Sequence, residues 1–328
     1  MSNRPFLVKN MKKNYFKHLI RKITPYKLRY FIRVIRNGRF KEYIKRIKQF
    51  KNDRKYTASD FSLYLSVAAI VKNETSYIAE WIEYHLLVGV QKFFIYDNES
   101  TDNLRGYLES YIKDGIVEYN YFPGKRRQLV AYNEMISRYR YSSFWIAFID
   151  IDEFLVPTAS KTIPEFLYGF EDTSGIEINQ VAYGSGGHQK KTKGLVIERF
   201  KDHSAYDHPI NHGVKSIVNP RHVFYMETAH IANYFNGERS VNTRKEKNIV
   251  SSLDRPILHE GILRNHYACK SLEEFTARMD LGRVFSPGKL SMNEFHERDR
   301  NEIKNDTIMD KYVQKIKDNL KLRFGSDI

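Results

Sequence analysis

The feature that most constrains the fold is a regular alternation of short apolar runs and amphipathic helical patterns over residues 64–150. The apolar runs predict strands at 64–71, 92–97, 115–122 and 143–150. Helical patterns fill the intervals, at 76–88, 103–113 and 126–140. Alternation of this kind predicts an α/β fold with a mostly parallel central sheet that is covered by helices on both faces.

The pattern is looser after Pro157. We expect a short helix at 162–170, strands at 175–184 and 195–200, and a mobile glycine-rich basic loop at 184–194. Further short strands are expected within 214–266, followed by helices at 271–283 and roughly 293–321.

Composition limits the class of protein. The chain has 328 residues, 41% of them hydrophobic, which is enough to bury a substantial core. No apolar run approaches the roughly 20 residues of a membrane-spanning helix, and no secretory signal is predicted. Cys269 is the single cysteine, which excludes an internal disulfide or a cysteine zinc cluster and suits a reducing cytoplasm.

The net charge of +15 is concentrated near the N-terminus. Residues 1–56 hold 19 Lys and Arg against Glu42 and Asp53, a local balance of +17 that leaves −2 for residues 57–328. We therefore divide the chain into a basic segment, 1–56, and a near-neutral domain, 57–328.

Apolar residues recur in the basic segment at helical spacing, for example at Leu28, Phe31, Ile32 and Ile35. Basic amphipathic helices of this type bind anionic membrane surfaces, and we favour that interpretation. The same pattern is compatible with helices that pack on the domain or on another subunit, and with nucleic-acid binding.

The stretch FWIAFIDIDEFLVP, residues 144–157, ends an apolar strand in three acids, Asp150, Asp152 and Glu153. Charges this close repel one another unless a cation lies among them. Side chains two residues apart in a strand share a face, so we expect Asp150 and Asp152 to bind one hard divalent cation, Mg²⁺ or Mn²⁺. Such an ion offsets the charge of a diphosphate leaving group. The alternative is a helix N-terminus rich in acids.

Other polar residues lie at predicted element ends. Asp97 and Asn98 lie at the carboxyl end of the second strand, where ligands of open α/β sheets bind. Lys125 begins a basic triplet before a helix, which either binds diphosphate or faces solvent. His85 and both tryptophans are expected to be structural.

The chain resembles glycosyltransferase family 92 and its bacterial family 2-like relatives over about residues 65–283. The resemblance is carried, in order, by VAAIVKNETSYIAEWIEYHLLVGVQKFFIYDNESTDN, RQLVAYNEMI, FWIAFIDIDEFLVP, VKSIVNPRHV and RNHYACKSLEEFTARMDLGR. It implies the GT-A fold of nucleotide-diphospho-sugar transferases. It also implies metal-dependent, inverting transfer of a hexose, with galactose favoured, from a UDP-sugar.

The resemblance also implies roles for individual residues. Those expected to hold the nucleotide base and ribose are Lys72, Asn73, Glu74 and Asp97. Gln128 and Asn133 are expected to face the donor, and Asn98 and Lys125 join this set from their positions. Asp150 and Asp152 match the metal–diphosphate motif, and His266 completes the metal or diphosphate contacts.

The sequence departs from the family in two places. VAYGSGG stands where a Trp-x-x-Phe-Gly block is expected on the acceptor side, and the membrane anchor of eukaryotic members is missing. An inverting transfer also requires a base that deprotonates the acceptor hydroxyl. The candidates are Glu153, Glu198, Glu227 and Glu260, with Glu227 preferred.

Together these features favour a bacterial cytoplasmic glycosyltransferase that is peripheral on the cytoplasmic face of the inner membrane. Its acceptor is expected to be a surface glycan, a lipid-linked glycan or a lipopolysaccharide. The alternative is a non-catalytic nucleic-acid-binding or scaffold protein that uses the basic segment. Nucleotidyl transfer is disfavoured, because KNETSY replaces the glycine-rich phosphate loop that such enzymes carry after the first strand.

Overall fold

The computed structural model describes residues 26–249, 251–281 and 290–325. The part of the predicted basic helical segment that falls on residues 1–25 lies outside these ranges.

A mostly parallel sheet forms the centre of the fold. Its strands are β1 Leu63–Val71, β2 Lys92–Asp97, β3 Val117–Tyr121, β4 Ser143–Phe148, β5 Glu153–Pro157, β6 Gly175–Ala182, β7 Val214–Val218 and β10 Ile262–His266. They are ordered β3-β2-β1-β4-β7-β6-β10-β5, and only β5 and β7 run against the others. A separate hairpin pairs β8 Val223–Met226 with β9 Ala232–Tyr234. The predicted mostly parallel α/β sheet is confirmed.

Helices cover both faces of this sheet. They are α1 Tyr26–Arg36, α2 Phe40–Asp53, α3 Thr75–Leu87, α4 Leu104–Tyr107, α5 Glu109–Lys113, α6 Gln128–Arg138, α7 Ile163–Leu167, α8 Val196–Arg199, α9 Leu272–Leu281, α10 Met292–Arg298 and α11 Asp310–Phe324. The helix predicted at 103–113 is broken into α4 and α5 at Leu108. Among the described helices, none combines the length and apolar character needed to cross a bilayer.

The strand predicted at 195–200 is wrong, because this segment forms the single helical turn α8. The buried Glu80 carboxylate in α3 accepts hydrogen bonds from the backbone N–H groups of Val196, at 2.7 Å, and Ile197, at 3.0 Å. A carboxylate that satisfies free N–H groups stabilises the start of a helical turn. Glu80 is distant in sequence, so local periodicity could not reveal this contact.

The loop at 184–194, predicted to be mobile, is tied to neighbouring segments along its length. The backbone N–H of Ser185 donates to Asp299 Oδ1 at 2.6 Å, and that of Lys191 donates to Glu273 Oε2 at 2.7 Å. Its conformation is therefore set by contacts with α9 and the segment after α10.

The core confirms the structural roles expected for the tryptophans and His85. Trp81, Trp145 and His85 are all 0% exposed. His85 Nδ1 lies 2.8 Å from Trp81 O, and its Nε2 accepts from the N–H of Leu155 at 3.3 Å. Burial lowers the pKa of His85 to about 3, so this ring is neutral at pH 7.

Helices α1 and α2 pack against the β8–β9 hairpin. The buried residues of this contact are Tyr30, Val34, Tyr43, Phe50, Phe224, Tyr225 and Phe235. At the end of α2, the buried Asp53 carboxylate lies 3.3 Å from the Arg140 guanidinium. In the described residues of the basic segment, these helices therefore pack on the domain through the residues named above.

Candidate active site

The Asp-x-Asp motif lies in the turn between β4 and β5. Strand β4 ends at Phe148, and the N–H of Glu153 donates to Asp150 O at 3.1 Å, which closes a turn that contains Asp152. The expectation that both aspartates extend from one face of a strand is wrong, since the chain reverses directly after the strand. The motif still lies beyond the carboxyl end of a parallel strand, where ligands of such sheets bind.

Asp150 and Glu153 are neutralised by cations from neighbouring strands. Lys215 on β7 donates to Asp150 Oδ2 at 2.8 Å and lies 3.6 Å from Glu153 Oε2, while Arg264 on β10 forms an ion pair with Glu153. Burial disfavours charge on Asp150, but Lys215 outweighs it and lowers the pKa of that carboxyl. The cation required beside these two acids is supplied by the protein.

Asp152 differs, because one of its oxygens faces a histidine. Oδ2 accepts from Arg278 Nη1 at 3.0 Å, whereas Oδ1 lies 3.7 Å from His266 Nε2. His266 Nδ1 lies 2.9 Å from Gln180 Oε1, and Gln180 Nε2 donates to Ile210 O at 2.7 Å. Nδ1 therefore carries the hydrogen and Nε2 presents its lone pair toward Asp152. Burial lowers the pKa of His266 to about 3, so the ring is neutral at pH 7.

Asp152 and His266 fit a divalent cation that binds together with substrate. A carboxylate oxygen and an imidazole lone pair 3.7 Å apart can bind the same ion. Within the described ranges, no three or more His, Cys, Asp and Glu side chains are arranged to hold a metal. Mg²⁺ and Mn²⁺ commonly take few protein ligands and complete their shell with phosphate and water. Metal binding by Asp152 and His266, with phosphate and water as the further ligands, stays a prediction.

Both carboxylate oxygens of the first aspartate, Asp150, accept hydrogen bonds from protein groups. Besides Lys215, Asp150 accepts through Oδ1 from Gln128 Nε2 at 3.4 Å and from Tyr132 OH at 3.3 Å. The structure therefore brings Gln128 to the motif as expected, and direct metal ligation by Asp150 stays a prediction.

Asn73, Asp97 and Asn98 shape the loops at the carboxyl ends of β1 and β2. Asn73 adopts a left-handed φ of 56°, and its Oδ1 accepts from the N–H of Thr101 at 2.7 Å. Asp97 Oδ2 accepts from Tyr119 OH at 2.5 Å, and Asn98 Nδ2 donates to two carbonyls of the loop after β3. Their contact with a nucleotide stays a prediction.

Glu74 lies in a charged cluster beside the motif. Burial raises its pKa, and this is opposed by Lys270 and Arg278. Lys270 is 2% exposed, and its backbone adopts a left-handed conformation with φ 54°. Its Nζ lies 4.3 Å from the centre of the Tyr77 ring. Within the described part of the chain, this ammonium group has no hydrogen-bond acceptor.

The remaining donor candidates are more dispersed. Lys72 is half-buried after β1, and Lys125 is exposed before α6. Asn133 Oδ1 accepts from the N–H of Met226 at 2.9 Å, which joins α6 to β8. The structure assigns Asn133 this structural contact, while its expected approach to the donor is untested.

The four candidate bases differ in environment. Glu198 is partly exposed in α8 and forms an ion pair with Lys317 at 2.7 Å. Glu153 is 1% exposed and is held by Arg264, so no acceptor hydroxyl reaches it in this arrangement. Glu260 is exposed and forms an ion pair with Arg244 on the surface. Glu227 lies in the β8–β9 turn, where its partly exposed carboxylate accepts from Arg33 of α1 at 2.8 and 2.9 Å. A catalytic role for Glu227 stays a prediction.

Sequence reasoning missed the cations and the orienting amide. The residues that contribute to the site but were not predicted are Lys215, Arg264, Arg278, Lys270 and Gln180. One signal was available, because VKSIV and ILRNH each place a basic residue inside a strand-like apolar run. A buried cation in such a position needs a nearby anion.

Comparison with known proteins identifies the family. The profile of glycosyltransferase family 92 matches residues 61–315. A family 92 protein of Oryza sativa subsp. japonica is 32% identical over 130 residues, which cover 39% of this chain and 22% of the rice protein. The galactan beta-1,4-galactosyltransferase GALS2 of Arabidopsis thaliana is 29% identical over 118 residues, covering 33% and 23%. The chain thus spans less than a quarter of these curated relatives.

The chain is also similar to solved structures of TarS from S. aureus. Residues 1–349 of TarS superpose on 71% of this chain and 68% of that chain, with 10% identity and a TM-score of 0.38. The same fragment in complex with UDP covers 48% and 47%, with 12% identity and a TM-score of 0.33.

The relatives correct one expectation and confirm another. The bacterial cytoplasmic location at an inner membrane is contradicted, because the curated relatives come from the plants Oryza sativa, Ricinus communis and Arabidopsis thaliana. The strand-end acids and the mostly parallel sheet agree with the GT-A fold that the sequence resemblance implied. Since the profile match covers most of the chain, the protein belongs to glycosyltransferase family 92.

Proposed function

We propose that this family 92 member is a metal-dependent inverting glycosyltransferase that moves a hexose from a UDP-sugar to a glycan or lipid-linked glycan acceptor. The observation that carries the proposal is the Asp152–His266 pair, in which a fixed tautomer directs a lone pair at a carboxylate 3.7 Å away. Galactose is the first candidate sugar, because one similar protein is a galactan beta-1,4-galactosyltransferase.

Different residues of the site would hold the metal and the diphosphate. Asp152 and His266 would hold Mn²⁺ or Mg²⁺, which acts as a Lewis acid toward the leaving diphosphate when bound. Arg278 keeps Asp152 in place, and its side chain is 32% exposed, so the same guanidinium is open to a phosphate oxygen. Lys215 keeps Asp150 charged at the mouth of the site.

The acceptor side requires a base. Glu227 is the preferred candidate because its carboxylate is 37% exposed in the turn that also places Ala229 O 3.4 Å from Lys215 Nζ. This turn therefore borders the Asp150 end of the site. An ionised carboxylate there would take the proton of the acceptor hydroxyl during transfer.

Calorimetric titration of UDP, with and without Mn²⁺, tests the proposal on the wild type and on Asp152→Ala. We expect tight binding only when both the metal and Asp152 are present. Glu260→Ala is the matched control, since it removes a surface carboxylate paired with Arg244. Turnover of a UDP-sugar panel, with UDP-galactose first, then identifies the donor. Equal UDP binding by the wild type and Asp152→Ala in Mn²⁺ would refute the metal site.

A further inference from the structure

The outward side of α1 and α2 carries an apolar stripe. In α1, Leu28, Ile32 and Ile35 recur at intervals of four and three residues and are 52%, 44% and 58% exposed. Phe40 and Ile44 have the same spacing in α2 and are 45% and 52% exposed. Residues spaced in this way share one side of a helix. Packing of the described chain therefore does not account for these five side chains.

Other residues of each helix are buried against the domain. Tyr30 and Val34 of α1 are 3% and 0% exposed, and Tyr43 and Phe50 of α2 are 3% and 2% exposed. At 3.6 residues per turn, positions 30 and 34 lie opposite the exposed stripe of α1. The stripe is thus presented by helices that are packed on the domain.

Basic side chains flank the stripe without compensating acids. Residues 26–56 contain only Glu42 and Asp53 as acids, and Asp53 is buried against Arg140. In the described part of the chain, none of six exposed basic side chains of these helices has an acidic partner. These six are Lys27, Arg36, Lys41, Lys45, Lys48 and Lys51. This face is therefore strongly positive as well as apolar.

The same helices are joined to the border of the candidate site. Arg46 Nη1 of α2 donates to Phe224 O of β8 at 2.9 Å, and the Phe50 and Phe235 rings stack with centres 5.1 Å apart. The turn of this hairpin reaches the site, where Ser216 Oγ donates to His230 O at 2.6 Å. A surface bound by α1 and α2 therefore has a defined position relative to the acids.

We propose that α1 and α2 dock the protein on an anionic lipid surface. The apolar stripe enters the boundary between headgroups and acyl chains, and the lysines contact lipid phosphates. A second copy of this face would repel the first through like charge. Nucleic acid would engage the basic side chains but not an aliphatic stripe. Docking does not depend on the proposed transfer, although it would place the site beside a lipid-linked acceptor.

Co-sedimentation of the full chain with phosphatidylcholine vesicles, with and without phosphatidylserine, tests this proposal. We expect binding only to the phosphatidylserine vesicles, and a loss of about tenfold or more in two variants. The variants are Ile32→Ser/Ile35→Ser/Ile44→Ser and Lys41→Glu/Lys45→Glu/Lys48→Glu. The controls, Leu253→Ser/Leu322→Ser and Lys161→Glu/Lys247→Glu/Lys315→Glu, change residues outside α1 and α2 that are at least as exposed as those of the stripe variant or, for the lysines, also exposed, and they should bind like the wild type.

Several results would overturn the docking proposal. These are no vesicle binding by the wild type, equal losses in the controls, or a dimer that the stripe variant dissociates. Tight duplex DNA binding that survives the stripe substitutions, without vesicle binding, would instead support a nucleic-acid surface. Mn²⁺-dependent UDP binding in the same variants should be unchanged, which separates a failure of docking from a failure of the proposed enzyme.

Discussion

Gln180 orients His266, and this contact predicts how much metal affinity is lost when the amide is removed. In Gln180→Met the acceptor for His266 Nδ1–H is lost, so the ring is free to rotate or to change tautomer. Removing such an orienting partner typically weakens metal binding 10- to 100-fold, which equals about 1.4–2.7 kcal/mol. Arg264 also loses a bond to this amide, but its Nη2 retains Gly213 O at 3.2 Å.

The assay is a titration of Mn²⁺ in saturating UDP, followed by calorimetry and by the manganese electron paramagnetic resonance signal. We expect Gln180→Met to weaken Mn²⁺ binding within the range above. His266→Ala should weaken it at least as much, because a direct ligand is lost. Adding Gln180→Met to His266→Ala should then not weaken Mn²⁺ binding further, because the Gln180 amide acts on the metal only through the His266 ring.

Two outcomes would refute this reasoning. One is an equal loss from Gln180→Met in both backgrounds, which would indicate a general disturbance of the site. The other is unchanged Mn²⁺ binding by a Gln180→Met protein whose urea denaturation midpoint matches the wild type. In that case the tautomer would be set by another contact.

Three further predictions concern stability and catalysis. Asp53→Ala leaves the Arg140 guanidinium buried without its carboxylate and should reduce the free energy of unfolding in urea by about 3–5 kcal/mol. His85 has a pKa near 3 when folded but about 6.5 when unfolded, so protonation favours the unfolded chain as pH falls. His266, whose pKa burial also lowers to about 3, adds to the same loss, so the fall in unfolding free energy from pH 7 to pH 5 should be about 2 kcal/mol smaller in His85→Gln than in the wild type. Glu227→Gln should lower kcat about 100-fold or more if this carboxylate is the base.

Matched substitutions separate these effects from general ones. Glu42→Ala removes an exposed carboxylate of α2 and should cost less than about 1 kcal/mol, in contrast to Asp53→Ala. Arg33→Gln removes the partner of Glu227 but not the carboxylate, so kcat should stay within about twofold of the wild type. A similar fall in kcat in both variants would assign Glu227 to holding α1 rather than to catalysis.

The secondary structure around the site was predictable because it depends on local patterns. The runs at β1, β2 and β4 are apolar on both faces, which identifies covered parallel strands without any tertiary knowledge. The positions of Asp97 and Asp152 near strand ends followed directly from those runs. Prediction was wrong at α8, where the contact that stabilises the turn comes from Glu80, more than a hundred residues away.

The sequence alone therefore determined the sheet, the acidic strand end and the amphipathic character of the N-terminal helices, since each depends on neighbouring residues. Tertiary structure decided which cation balances which acid, because Lys215, Arg264 and Arg278 reach the motif from three separate elements. It also decided which side of α1 is buried. Both faces of that helix are apolar in part, and only packing against β8–β9 distinguishes them.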